Sequence, residues 1–206
     1  MLEFVPADAS VILEVGCGSG AFSAGLKKMR AASGRPVEIW GVEMDEAAAI
    51  RASENLDRVL HGDVNAVMND LPVGRFDCVV LNDVIEHVLE PGELVASLRP
   101  LLKPAGCLVA SIPNVRYFFN VVNLAVHGRW DYTDEGILDR THVRFFTRSS
   151  MVRLLEESGF AVEKTAGINP TVSLKFRLAN LLTLGRWSDM KYLQFACLAR
   201  TARPVE

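Results

Sequence analysis

Cysteine is scarce in this sequence of 206 residues, which contains only Cys17, Cys78, Cys107 and Cys197. No two of them form a CxxC pair, and no Cys/His cluster has the spacing of metal ligands, so the sequence predicts neither a disulfide framework nor a metal site. Three of the four lie in apolar runs, where a thiol behaves as a small hydrophobic group. A reducing compartment, by default the cytoplasm, is therefore expected.

A strong charge imbalance and long apolar runs are also missing. The net charge is −3 and the pI is near 5.9, which gives no electrostatic reason to expect a nucleic acid partner. No stretch approaches the roughly 18 apolar residues of a membrane span, and the N-terminus does not resemble a signal peptide. Because half of the residues are hydrophobic, we expect one globular domain over residues 1–206.

Short apolar runs alternate with helical patterns along most of the chain. Because the runs are apolar throughout and separated by helices, they predict a parallel sheet that is covered on both faces. This is a doubly wound α/β fold. The predicted strands are Val11–Val15, Val37–Val42, Arg58–His61, Phe76–Leu81, Gly106–Ile112, Phe160–Thr165 and Tyr192–Ala199. The predicted helices are Ala21–Ala32, Glu46–Asn55, Pro91–Leu102, Thr147–Ser158 and Val172–Leu184.

A glycine-rich turn follows the first predicted strand, with glycines at positions 16, 18 and 20. Glycine accepts positive φ and lets a ligand approach the backbone, and the next helix directs its first amides to the same place. Gly16-x-Gly18-x-x-Ala21 also fits the dinucleotide fingerprint. Glu14, at the carboxyl end of the strand, suits a cationic or amine-bearing ligand better than a pyrophosphate.

The stretch from Glu14 to Gly20 resembles the first motif of the class I S-adenosylmethionine-dependent methyltransferases, in particular those that act on small molecules. Segments that resemble the later motifs follow in order and spacing, at Ile39–Asp45, Gly62–Val64, Phe76–His87 and Leu101–Val109. The resemblance implies a seven-stranded Rossmann-like sheet in the order 3-2-1-4-5-7-6 with the last strand antiparallel. It also implies S-adenosylmethionine as the cofactor.

The resemblance places the cofactor contacts at the carboxyl ends of strands, where open α/β sheets bind ligands. Glu14 is expected near the methionine ammonium, and Glu43 is expected to accept both ribose hydroxyls. Asp63 is expected to accept from the adenine amino group. The other predicted contacts are Gly16, Cys17, Gly18, Gly20, Met44, Val64 and Asn82.

Methyl transfer from a sulfonium mainly needs proximity and orientation, and it needs a general base only when the acceptor holds a proton. The predicted candidates are His142, His87 and Asp83. His142 lies in a D-x-x-H-x-x-F stretch similar to one beside the pocket of related small-molecule methyltransferases, although contacts of Asp139 could simply hold a surface loop there. For Glu86 and His87, a role in orienting their loop is equally open.

Two segments are predicted to build the acceptor site. Residues 113–147 are rich in aromatic side chains and long for a connection, which favours a pocket wall or lid. Residues 170–188 include the helix whose apolar stripe is Leu174, Leu178, Leu181 and Leu182; core packing is the first expectation for it. A lid, a homodimer face or peripheral contact with a membrane stays open.

The predicted reaction is methyl transfer to a small-molecule, saccharide or lipid-linked acceptor, with oxygen favoured. No Asn-Pro-Pro-Tyr-like tetrapeptide follows the fourth strand, which disfavours methylation of amino groups on bases or glutamine. An NAD(P)-dependent oxidoreductase is an alternative, but no Tyr-x-x-x-Lys pair is present to do its chemistry. A non-catalytic cofactor-binding scaffold is the other alternative.

Overall fold

Seven strands form one mixed sheet in the computed structural model, which describes residues 1–202. The order is β3-β2-β1-β4-β5-β7-β6, with β7 antiparallel to β5 and β6 and the other neighbours parallel. This confirms the predicted fold class. The bounds are β1 Val11–Val15, β2 Glu38–Glu43, β3 Arg58–His61, β4 Phe76–Asn82, β5 Leu102–Pro113, β6 Phe160–Pro170 and β7 Tyr192–Thr201.

Seven α-helices accompany the sheet within residues 1–202, and five of them lie where the sequence predicts helices. Their bounds are α1 Ala21–Ala32, α2 Glu46–Ala52, α3 Val64–Val67, α4 Pro91–Leu98, α5 Phe118–His127, α6 Arg148–Glu157 and α7 Leu174–Leu182. Neither α3 nor α5 is predicted from the sequence. Helix α4 ends at Leu98, before its predicted end at Leu102, because Pro100 lacks an N–H and the chain continues as a 3-10 turn.

The sheet is buried on both faces, as the apolar strands predict. On one face, Phe76 and Phe160 pack with Leu155 of α6, and on the other, Ile12 packs with Leu26 of α1. Burial of these side chains is the main force that holds the strands in register. Because β1, β2 and β4 are parallel, their carboxyl ends lie at the same edge of the sheet, and the buried core holds them in place.

A small separate cluster joins α5 to α7. Phe118, Phe176 and Met190 are buried together, and the Phe118 and Phe176 rings meet edge to face with centroids 5.5 Å apart. Phe176 is the residue through which α7 packs inward. The predicted core packing of the α7 stripe is therefore wrong, since its four leucines are 54% to 84% exposed. No helix within residues 1–202 is long and apolar enough to cross a membrane.

Candidate functional site

The glycine turn is built as the sequence predicts. Gly16, Gly18 and Gly20 have φ values of 67°, 52° and 79°, a region that favours glycine. The amides of Gly16 and Cys17 donate to the carbonyl of Val42, at 2.8 and 3.1 Å, which fastens the turn to β2. No side chain caps α1, so its first amides remain available at the turn.

Glu43 joins this turn to the end of β2. Its Oε2 accepts from the Gly18 amide at 2.7 Å, and its Oε1 accepts from the Asp45 amide at 2.9 Å. A carboxylate offers about four lone-pair positions, so two remain for a ligand. The two amides hold the carboxylate in one orientation, as recognition of a pair of hydroxyls requires.

The predicted adenine contacts lie at the neighbouring ends of β2 and β3. Asp63 caps α3, with its Oδ1 accepting from the Asn65 amide at 2.8 Å, and this leaves its other oxygen for a ligand. Met44 is 71% exposed and lies at the rim, while Val64 is half-buried. The structure thus brings these residues to one strand edge, and their contact with adenine stays a prediction.

Glu14 and Asn82 form the inner end of the site. Glu14 is 2% exposed and accepts a hydrogen bond from the Ser23 hydroxyl. Burial raises the pKa of Glu14 to about 7, although hydrogen bonds from Ser23 and Asn82 act in the opposite direction. Within residues 1–202, the buried Oδ1 of Asn82 has no hydrogen-bond partner. A ligand with an ammonium group would meet both of these oxygens.

A cavity of about 360 Å³ adjoins the end of β4, and all three predicted catalytic candidates line it. Its lining includes Asp83, Glu86, His87, Pro113, His142 and Gln194. Asp83 accepts from the Ser111 hydroxyl at 3.0 Å and from the Gln194 amide at 2.9 Å. Sequence reasoning missed Gln194, because nothing local indicates that β7 reaches the end of β4.

The two histidine candidates lie side by side, with ring centroids 4.7 Å apart. His142 Nδ1 lies 3.0 Å from the Ile137 carbonyl, and His87 Nδ1 lies 3.3 Å from the Thr141 carbonyl. Of the two loop contacts weighed from the sequence, the one between Asp139 and His142 is present, because the Asp139 carbonyl accepts from the His142 amide at 3.0 Å. The Asp139 carboxylate accepts from the amide and hydroxyl of Thr141, at 2.7 and 2.6 Å.

The backbone and the side chain of Glu86 lie in different environments. Its carbonyl accepts from the amides of Val143 and Arg144, at 2.9 and 3.0 Å, and so orients the loop that carries His142. Its carboxyl group is 1% exposed, and burial raises its pKa to about 8. Within residues 1–202, neither carboxyl oxygen has a hydrogen-bond partner. The loop-orienting role therefore belongs to the backbone and leaves the side chain unexplained.

Comparison with known proteins places these features in a family. Residues 2–165 match a family model described as a methyltransferase domain. The chain is 31% identical over 159 residues to a protein of Mycolicibacterium smegmatis named "Probable S-adenosylmethionine-dependent methyltransferase", covering 76% of this chain and 54% of that protein. It is 25% identical over 196 residues to a ubiquinone biosynthesis O-methyltransferase of Burkholderia pseudomallei, covering 88% and 75%.

Other similarities are narrower. A highly reducing polyketide synthase of Emericella nidulans is 31% identical over 165 residues, which are 74% of this chain and 6% of the synthase. The chain thus spans about half of the Mycolicibacterium relative and a small part of the synthase. Among solved structures, an S-adenosylmethionine-dependent methyltransferase from Archaeoglobus fulgidus superposes with a TM-score of 0.65 at 19% identity, covering 95% and 87% of the two chains. At that identity the likeness shows the fold alone.

Proposed function

Because the chain belongs to the methyltransferase domain family, whose relatives use S-adenosylmethionine, we propose that it methylates a hydroxyl oxygen of a lipid-linked small molecule. Membership of this family argues against the two alternatives, an NAD(P)-dependent oxidoreductase and a non-catalytic scaffold. The antiparallel β7 agrees with this, since an all-parallel sheet would have favoured dinucleotide binding. The acceptor is the new part of the proposal.

The residues of the glycine turn fit the cofactor. A Cβ added at Gly18 would meet no atom within 4 Å, so the turn opens onto free space. Near that space lie the fixed carboxylate of Glu43, the buried carboxyl of Glu14 and the Asn82 oxygen that has no hydrogen-bond partner within residues 1–202. These groups suit the ribose hydroxyls and the ammonium of S-adenosylmethionine.

The choice of oxygen rests on the cavity beyond β4. Bound S-adenosylmethionine supplies a methyl group on a sulfonium, which needs no further activation. A hydroxyl acceptor must still be oriented and must lose its proton as the new bond forms. Asp83, His87 and His142 line one cavity, where they would orient a hydroxyl and receive its proton.

The lipid part of the proposal rests on the exposed face of α7. Leu174, Leu178, Leu181 and Leu182 are all more than half exposed and share one side of the helix. Lys175 and Arg177 flank this stripe, and no acidic residue occurs from 164 to 188, although the net charge of the chain is −3. Leucines between basic side chains suit the surface of an anionic bilayer.

The relatives agree with such an acceptor. The Burkholderia relative is named for O-methylation in ubiquinone biosynthesis. Two segments interrupt the alternation of strands and helices. Residues 113–147 contribute Pro113 and His142 to the cavity, and residues 170–188 contribute α7 to the surface. An acceptor with its reactive hydroxyl at one end and a lipid chain at the other would use both.

A vesicle assay tests the docking face. We expect the chain to sediment with vesicles that contain phosphatidylglycerol and to bind those of phosphatidylcholine alone much more weakly. Replacing Leu178 and Leu182 together by Asp removes two leucines worth about 1.5–3 kcal/mol each when buried, so binding should fall at least a hundredfold. Ile50→Asp, at a 65% exposed position on α2, is the matched control and should bind as before.

An acceptor assay tests the chemistry. Methyl-labelled S-adenosylmethionine is supplied with phenols, catechols and sugars, each free and attached to a lipid chain in the same vesicles. We expect label on oxygen of a lipid-attached acceptor. Equal labelling of the free and attached forms would contradict lipid delivery, and label on nitrogen would contradict O-methylation. Loss of self-association, rather than of vesicle binding, in the Leu178/Leu182 variant would assign the face to a homodimer.

A further inference from the structure

Two adjacent side chains and a third that is distant in the sequence converge in the wall of the acceptor cavity. Glu86 and His87 lie in the 3-10 turn after β4, and His142 lies in the loop before α6. Each offers one ligand atom, and these atoms all lie within 4.8 Å of one another. We propose that Glu86, His87 and His142 bind a divalent transition-metal ion.

Glu86 supplies the first argument. Its carboxyl group is 1% exposed, and within residues 1–202 neither oxygen accepts a hydrogen bond. Nε2 of His142 lies 3.9 Å from Oε1, beyond hydrogen-bond distance. A buried carboxyl group without a partner is costly, and such a group calls for an explanation. A cation between the carboxylate and the two imidazoles provides one.

The histidine rings supply the second, independent argument. A backbone carbonyl only accepts hydrogen bonds, so Nδ1 of His142 carries the proton that it directs at Ile137. The Thr141 hydroxyl donates to Asp139 and therefore accepts from His87 Nδ1, as the Thr141 carbonyl also does. Both rings are thus held through Nδ1–H, which leaves Nε2 with a free lone pair. Metal-binding histidines are oriented in the same manner.

The chemistry of the three ligands selects the ion. Two imidazoles and one carboxylate suit Zn²⁺, Mn²⁺, Fe²⁺ or Co²⁺, whereas Mg²⁺ prefers oxygen ligands. Ligands about 2.0–2.2 Å from a metal lie at most about 4.4 Å apart, so binding would contract the cluster by a few tenths of an ångström. Three protein ligands leave a position open toward the cavity. An acceptor hydroxyl bound there would have a lowered pKa, and with both imidazoles on the ion Asp83 would be the group that receives its proton, which deepens the proposed function.

The sequence predicts no metal, because it has no Cys/His cluster with the spacing of metal ligands. His87 and His142 are 55 positions apart, and their loops meet through the Glu86 carbonyl, which accepts from Val143 and Arg144, and through His87 Nδ1, which contacts Thr141. The binding itself does not depend on the identity of the acceptor. Its test therefore needs no substrate.

The test uses the full chain stripped with a chelator and titrated with Co²⁺, whose visible absorption reports imidazole and carboxylate ligation. We expect one equivalent of Co²⁺ to bind and Zn²⁺ to displace it. His142→Ala and Glu86→Gln should each weaken binding at least tenfold. His127→Ala, at an exposed histidine at the end of α5, is the matched control and should bind as the unmodified chain does.

Binding of S-adenosylhomocysteine by each variant separates this proposal from the proposed function. A variant that keeps that binding but loses Co²⁺ supports the metal site. Absence of Co²⁺ and Zn²⁺ binding in a chain that binds S-adenosylhomocysteine would overturn it. Equal Co²⁺ affinity in His142→Ala and His127→Ala would overturn it too, as would a preference for Mg²⁺ over Zn²⁺.

Discussion

Glu14 makes the stability of the ligand-free protein depend on pH in a direction that can be worked out. Its pKa is about 7 in the folded chain, where burial disfavours the charged form, against 4.5 for an ordinary glutamate. Between these two values the folded state binds more protons than the unfolded state. The free energy of unfolding therefore falls as the pH rises from 4.5 to 7, by about 3 kcal/mol in total.

Glu14→Gln removes this contribution while keeping the size of the side chain and a hydrogen bond with Ser23. We expect the variant to gain about 3 kcal/mol relative to the unmodified chain between pH 5 and pH 8, because other titrating groups cancel in the difference. Urea unfolding followed by tryptophan fluorescence at several pH values measures it. Glu54→Gln, at an exposed position, is the control and should show a constant difference. A constant difference for Glu14→Gln as well would refute the reasoning.

The same carboxyl group predicts the pH dependence of ligand binding. An ammonium beside Glu14 favours the deprotonated form, so the affinity of the unmodified chain for S-adenosylhomocysteine should rise as the pH passes through about 7. Glu14→Gln should abolish that rise and leave a weaker affinity that is independent of this group. Calorimetric titration of both proteins at pH 6 and pH 8 measures whether the affinity rises. A parallel rise in both proteins would place the ammonium elsewhere.

Three further substitutions test the site and the fold. Glu43→Ala should weaken S-adenosylhomocysteine binding at least tenfold by calorimetry, because it removes two ribose acceptors and the Gly18 contact, while NADH should bind neither protein. Gly16→Ala should lower the free energy of unfolding by about 2 kcal/mol in urea, since φ is 67° and the new Cβ would lie 2.6 Å from Val84 Cγ2. Thr147→Ala should cost about 1 kcal/mol in the same assay through loss of the capping box of α6, and Ser149→Ala should cost less.

The sheet could be predicted because its signals are local. The bounds of β1, β3 and α1 are those predicted from the sequence. For the two strands, glycine or polar residues on either side mark where the strand begins and ends. β6 runs five residues beyond its predicted end at Thr165. Those residues include Gly167, Asn169 and Pro170, which are uncommon in strands, and they are strand because they pair with β7, as Ile168 does with Gln194. Pairing partners decided the bounds wherever composition did not.

The α7 stripe shows a different limit. Helical periodicity predicts that Leu174, Leu178, Leu181 and Leu182 share a face, which is what the structure shows, but it does not say what that face meets. Phe176, on the opposite side, takes the inward place because Phe118 and Met190 are there to receive it. Both partners lie in other elements of the chain, so no local pattern identifies them.

Two buried carboxyl groups at the ligand edge of the sheet illustrate why residue type alone does not assign a role. Glu14 and Glu86 are 2% and 1% exposed, and burial raises the pKa of each. Glu14 accepts from Ser23 and lies at the glycine turn, whereas Glu86 has no partner within residues 1–202 and faces two histidines. An organic ammonium satisfies the first environment and a metal ion the second. Each environment therefore predicts its own response: S-adenosylhomocysteine binding should change in Glu14→Gln, and Co²⁺ binding in Glu86→Gln.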